Sequence, residues 1–159
     1  MGVKGAPDPA TLALAKQAEE EVNAHAKVRS VYKLFDINVS EEGGFVELAG
    51  TGVKLEGKHL SRHLRDCRRA YLLAATLGFE MEKRVNYLMN TRPALGVATD
   101  AMCTSALECA LDELCEDLQK QCGKKLKTRF SCGYGDFPLS AQKDMVNLLD
   151  TGRKIGVFL

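Results

Sequence analysis

Within the dozen residues Arg129-Phe-Ser-Cys-Gly-Tyr-Gly-Asp-Phe-Pro-Leu-Ser140 stand one arginine, one tyrosine and one acid, Asp136, bracketed by Gly133, Gly135 and Pro138. An arginine at the mouth of such a loop suits a carboxylate or a phosphate, because its planar fork binds two oxygens at once. The glycines permit positive φ and let a ligand touch main chain. Tyr134 adds a flat face and a hydroxyl. A loop of this composition on its own also reads as an ordinary surface turn. The residues before it, 124 to 130, read as a short strand, and Ser140 is placed to cap an amphipathic helix after it. The expected arrangement is strand, glycine loop, helix.

Three other groups of residues could do chemistry. His59, His63 and Cys67 share a helical stripe at four-residue spacing, which suits zinc chelation but lacks a fourth ligand or a paired-cysteine motif. Lys58, Arg62, Arg65, Arg68 and Arg69 outnumber the lone Asp66, giving either a basic patch for an anionic ligand or acidic partner, or a solvated helix face. The six cysteines are 67, 103, 109, 115, 122 and 132. They lie mostly inside helical patterns without an export signal, so reduced thiols and no stoichiometric metal are expected. Cys103, Cys109 and Cys115 recur every six residues, which rotates around a helix and cannot converge on one ion.

The elements that must position these groups alternate in period. After a glycine- and proline-bearing lead, residues 1 to 9, which reads as flexible, Asp8-Pro9-Ala10-Thr11 offers capping residues to a helix running to about Lys27. Within it, Glu19-Glu20-Glu21 reads as a solvated turn without functional weight. Val31, Lys33, Phe35, Ile37 and Val39 alternate with Tyr32, Leu34, Asp36 and Asn38, which is the period of a strand. Strands are expected near 31 to 39, 45 to 55, 70 to 77, 125 to 131 and 155 to 159, the third of them a buried central one. Helices are expected over 58 to 67, 80 to 89, 93 to 121 and 140 to 150. The longest carries Leu107, Leu111, Leu114 and Leu118 as an apolar stripe and is stopped by Gly123. Asp100 and Glu108 lie on it as acids that are either solvated or turned towards the loop. The fold class that follows is α+β: one domain spanning 1–159, with a mainly antiparallel or mixed sheet packed against a long central helix.

Composition sets the outer limits. At 159 residues, with 45% hydrophobic and 27% charged side chains, the chain has the proportions of a single globular domain. Its 22 basic and 21 acidic side chains leave a formal charge of +1, so nothing global points to nucleic acid. No apolar run is read as approaching the length that crosses a bilayer, and no signal-peptide core is seen. No membrane partner and a cytoplasmic location are therefore expected.

The run Arg129-Phe-Ser-Cys-Gly-Tyr134, followed by Gly-Asp-Phe-Pro-Leu-Ser-Ala-Gln142, resembles the Arg-x-x-x-Gly-Tyr loop of the activation domain of cobalamin-dependent methionine synthase. It is more similar still to the small stand-alone proteins of that family, whose run reads approximately Arg-Phe-Ser-Pro-Gly-Tyr-Gly-Asp-Phe-Pro-Leu. Arg68 to Gly78 carries their Ala-Ala-Thr-Leu-Gly, and Asp100 through Glu108 resembles the start of their long central helix. The similarity spans roughly residues 30 to 159, and the loop is its specific part.

The resemblance implies binding of S-adenosylmethionine for reductive remethylation of a corrinoid cofactor. That cofactor, cobalamin, is held by a partner corrinoid protein or cobalamin-dependent methyltransferase. It puts the ligand carboxylate on Arg129, a main-chain contact with the adenosyl part on Ser131 and close backbone approach at Gly133. Tyr134 would line the pocket, and Glu108 would attract the ammonium or sulfonium group. Cys132 takes the place of the family's proline among these positions. Relative to the small family members the sequence ends early, at Leu159, before a segment that helps close their ligand site. None of these residues would be a general acid or base, since the sulfonium already activates the methyl group and the reduced cobalt is the nucleophile. Two other readings stay open: a docking or ligand-sensing module that no longer binds S-adenosylmethionine, and a thiol-based metal or redox protein using Cys132 and the helix cysteines.

Overall fold

The computed structural model describes residues 8–159, so most of the lead expected to be flexible, residues 1 to 7, lies outside the described residues. The described residues are α+β, with a four-stranded antiparallel sheet and six α-helices, the longest of them over Pro93–Cys122. It divides into two compact units. The first comprises Met1–Arg29 and Ala75–Lys124, and the second Ser30–Ala74 and Lys125–Leu159.

The first unit is helical. Helix α1 (Pro9–His25) starts where its sequence signals a start: Pro9 occupies the first turn, and the Asp8 carboxylate accepts the Thr11 N–H at 2.8 Å. Helices α3 (Phe79–Thr91) and α4 (Pro93–Cys122) follow with only Arg92 between them, and Gly123 ends α4. Both α1 and α3 pack on α4. Ala18, Leu88 and Leu95 form the buried centre of this unit, with Leu14, Ala98 and Met102 around them.

By length and composition α4 is the one helix among the described residues able to cross a membrane: it has 30 residues and a stretch of mean hydropathy 1.2. Its apolar residues are not gathered in one run: Asp100, Glu108, Asp112-Glu113 and Glu116-Asp117 interrupt them.

Glu19, Glu20 and Glu21 form a turn of α1 as expected, with Glu19 and Glu20 exposed, but Glu21 is not a solvated side chain. Glu21 is largely buried and forms a two-pronged ion pair with Arg84 of α3, with Nη2 2.7 Å from Oε1. The Arg84 hydrogen bond holds the Glu21 carboxyl below the usual carboxylate range; burial opposes this and the guanidinium charge adds to it. Because the folded value lies below the unfolded one of about 4.3, the pair's stabilisation is complete above that unfolded value. It is lost as pH falls through the folded value. Glu21→Gln should therefore flatten the acid limb of stability against pH, read by urea unfolding between about pH 3 and 6. An acid limb as steep as that of the wild type would show that other carboxylates set it.

The second unit carries the sheet, formed by β1 (Arg29–Ser40), β2 (Phe45–Leu48), β3 (Val53–Glu56) and β4 (Arg69–Thr76) in the order β3-β2-β1-β4. Ile37 faces Leu48 and Val39 faces Val46 across β1 and β2, while Val46 faces Leu55 across β2 and β3. This register puts the alternating apolar residues on one face. Leu72 of β4, Leu60 of α2 (Lys58–Leu64), Phe137, Leu149 and Ile155 complete the core. The segment over 45 to 55, expected as one or two short strands broken at Gly50-Thr51-Gly52, is two strands: the chain reverses at Gly50 and Gly52, and the Thr51 hydroxyl donates to the Leu48 carbonyl at 2.8 Å. β4 lies at an edge of the sheet, not at its centre, and only Leu72 in it is buried. Its alanines resemble buried-strand composition but cover little area.

Two expected strands are absent. Residues 125 to 131 form no ladder: the Thr128 carbonyl meets the His63 ring at 2.9 Å, and the Lys127 ammonium donates to the His63 carbonyl at 2.8 Å. Alternating Leu126, Thr128 and Phe130 gave the period of a strand, yet the segment is held by α2 and not by a sheet neighbour. Residues 155 to 159 are also not a strand. Ile155 is the last residue of α6 (Thr151–Ile155), and the buried Thr151 hydroxyl donates to the Val157 carbonyl at 2.7 Å, turning the chain back. Between Lys125 and α6 lie a short 3₁₀ turn (Leu139–Ala141) and α5 (Gln142–Leu149). Ser140 sits inside the 3₁₀ turn and caps nothing with its side chain.

Candidate functional site

The glycine loop is built from two consecutive tight turns in the second unit. The Tyr134 N–H donates to the Ser131 carbonyl at 3.1 Å, and the Phe137 N–H donates to the Tyr134 carbonyl at 3.1 Å. Gly133 N–H closes the pair onto the Phe137 carbonyl at 2.8 Å. The first turn needs positive φ at its third position and the second at its second position, and Gly133 (φ 89°) and Gly135 (φ 61°) supply them. A side chain at 135 would also meet the His59 ring, 2.5 Å from where its Cβ would stand.

Asp136 ties this loop to α2. One carboxylate oxygen accepts the Lys58 N–H at 2.8 Å and the other the His59 N–H at 2.9 Å. Gly57 precedes α2 and offers no side chain, so Asp136 is the cap of that helix, supplied from far along the chain. The His59 and Lys58 N–H groups hold its carboxyl below the usual range, with the His59 ring 3.5 Å away adding to them. Asp136→Ala should therefore free the first turn of α2 and the loop together. Amide exchange at Lys58, His59 and Phe137 should rise in the variant, whereas rates equal to the wild type would show that the loop holds its place without the cap.

The sequence residues singled out in the loop fall as follows. Arg129 is half-buried and interacts within the chain. Ser131 is exposed, and its carbonyl retains one lone pair beyond the Tyr134 bond. Gly133 lies on the surface. Tyr134 is 69% exposed, its ring standing edge-on to Phe130 at 5.3 Å. Phe130 also meets Phe137 at 6.2 Å and the His63 ring at 5.3 Å, so one aromatic cluster fixes the loop's inner side. Cys132 points the other way: half-buried, with Sγ 3.3 Å from the Met145 sulfur, its thiol is pushed up by burial. A thiol in that setting is a poor nucleophile and metal ligand. Five of the six residues thus share one loop. Glu108 is an exposed residue of α4, in the first unit.

Beside the loop runs a groove of about 420 Å³, lined by His59, Arg62, His63, Arg65, Asp66, Lys127 and Phe130. The histidine stripe read as a chelating pattern is used otherwise: His59 lies against Gly135 and Asp136, and His63 bonds Thr128. Among the described residues no three His, Cys, Asp or Glu side chains are grouped to hold a metal ion. All six cysteines are free thiols. A groove of similar size in the first unit, about 400 Å³, is lined by Gln17, Glu20, Glu21, His25, Arg84 and Arg92 among others. Its strongest charges already pair with each other in the Glu21–Arg84 bridge, which leaves the second unit's loop and groove as the better-placed site.

Sequence reasoning missed the capping role of Asp136 and the part played by Lys127 and Phe130. The loop's acid was visible, but its partners lie 77 and 78 residues away, beyond any local pattern. Compared with known proteins, the chain matches no family and no curated protein.

Proposed function

We propose that this protein binds S-adenosylmethionine at the Arg129–Tyr134 loop and serves the reductive remethylation of a corrinoid cofactor held by a partner protein. The observation that carries the reading is the loop itself: a double turn anchored by Asp136, with Tyr134 exposed and Arg129 at its start. Such a loop is preorganised, and the aromatic face and backbone it offers to solvent have no evident task in the core. The forked cation suits the methionine carboxylate, and the Tyr134 face suits the adenosyl group.

The reaction asks no acid or base of the chain. S-adenosylmethionine would supply the activated methyl group, a separate reductase the electron that restores the nucleophilic cobalt, and the chain's residues would bind and orient the methyl donor. A reduced corrinoid survives in a reducing compartment, so the protein is assigned to the cytoplasm. Equilibrium dialysis against S-adenosylmethionine and its decarboxylated analogue tests the reading. The intact ligand should bind saturably and the analogue at least about tenfold more weakly, since it lacks the group that Arg129 would hold. Equal binding of both would contradict the assignment.

A second reading is favoured by the basic groove beside the loop: a module that docks a corrinoid protein without binding S-adenosylmethionine. Absence of saturable binding in the same dialysis selects it.

A further inference from the structure

We infer that the groove between α2 and residues 127–130 is a docking site for an acidic segment of a partner protein. Lys58 and Arg62 stand on α2 and Arg65 is its C-cap, still with helical dihedrals; at i, i+4 and i+7, all exposed, they share one face. Asp66 is the groove's single acid. It is already shared between Arg65 Nε at 3.5 Å and Lys127 Nζ at 3.7 Å. Arg62 has no acidic partner among the described residues. The groove therefore carries uncompensated positive charge, which carboxylates from outside would offset.

The form of the groove favours a chain segment over a small ligand. Its cations are exposed at the rim, whereas a small-molecule site encloses most of its ligand. The Phe130 ring, braced by Tyr134, Phe137 and His63, supplies a fixed apolar contact amid the charges, the mixture that an acidic segment with an apolar residue would fill. A nucleic acid fits less well. The cationic helix has seven residues and spans about 10 Å, and the sequence's 21 acidic side chains, all but Asp66 outside the groove, oppose a long polyanion. Identifying the partner with the corrinoid-carrying protein rests on the function proposed above; recognition of an acidic segment does not.

Fluorescence anisotropy with a labelled oligoglutamate peptide containing one leucine tests the inference on the full chain. The peptide should bind saturably at about 50 mM salt and weaken about tenfold or more at about 500 mM. Arg62→Ser should weaken it several-fold, and the double variant Arg62→Glu, Arg65→Glu should abolish it. Arg62 forms no hydrogen bond or ion pair among the described residues and is exposed, so the melting temperature of Arg62→Ser should match the wild type and serve as the folding control. S-adenosylmethionine binding should be unchanged in Arg62→Ser; peptide binding without S-adenosylmethionine binding would remove the remethylation reading, select the docking-module reading and leave the docking site standing. No binding at low salt, binding indifferent to these substitutions, or tighter binding of an oligothymidylate would overturn the inference.

Discussion

Gly96→Ala is expected to destabilise the protein by about 2–4 kcal/mol, although alanine is the better helix former by about 1 kcal/mol. The reason is the approach of α3 to α4. A Cβ at position 96 would stand 2.6 Å from the Met89 nitrogen, 2.8 Å from its Cα and 2.9 Å from the Leu88 carbonyl carbon. These are backbone atoms in the last turns of α3, and no rotamer change moves them aside. Only Arg92 joins the two helices, so they cannot separate locally without lifting Leu88 and Leu95, both buried, out of contact. The opposing signs of propensity and packing make the test sharp. Urea unfolding should show a lower midpoint in the variant, and a midpoint equal to or above that of the wild type would mean that α3 and α4 are not packed this closely.

Arg129→Ala should weaken S-adenosylmethionine binding by about 2–4 kcal/mol, roughly 30- to 1,000-fold. The proposed contact would be charge-assisted and two-pronged, and no water molecule reproduces a planar fork. Arg129→Lys should recover only part of the loss, because an ammonium is a point charge that meets one oxygen well and the other poorly. Arg129 is half-buried and interacts within the chain, so affinity must be compared at matched folded fractions, with thermal melting of each variant as the control.

Much of the fold was legible because it depends on local signals. Asp8 and Pro9 announce α1, Pro93 and Gly123 bracket α4, and the two-residue period of Val31 to Val39 marks β1. The failures came where the same local signal has two tertiary outcomes. Leu126, Thr128 and Phe130 alternate like a strand but find α2 where a strand would find a ladder. Ile155 looked like the start of an apolar strand and is the buried end of α6. In the candidate site, the glycines and the aromatic residue were readable as a turn with a face. The Asp136 cap on α2 and the close approach at Gly96 depend on which backbone lies opposite, and no spacing along the chain records that.

The central claim is that the Arg129 loop holds the carboxylate of S-adenosylmethionine, and isothermal titration of wild type and Arg129→Ala with that ligand tests it most directly. The account predicts saturable heat from the wild type, a loss of about 30-fold or more in the variant, and melting curves that show both proteins folded at the titration temperature. Equal affinities, or no binding by the wild type at millimolar ligand, would contradict it.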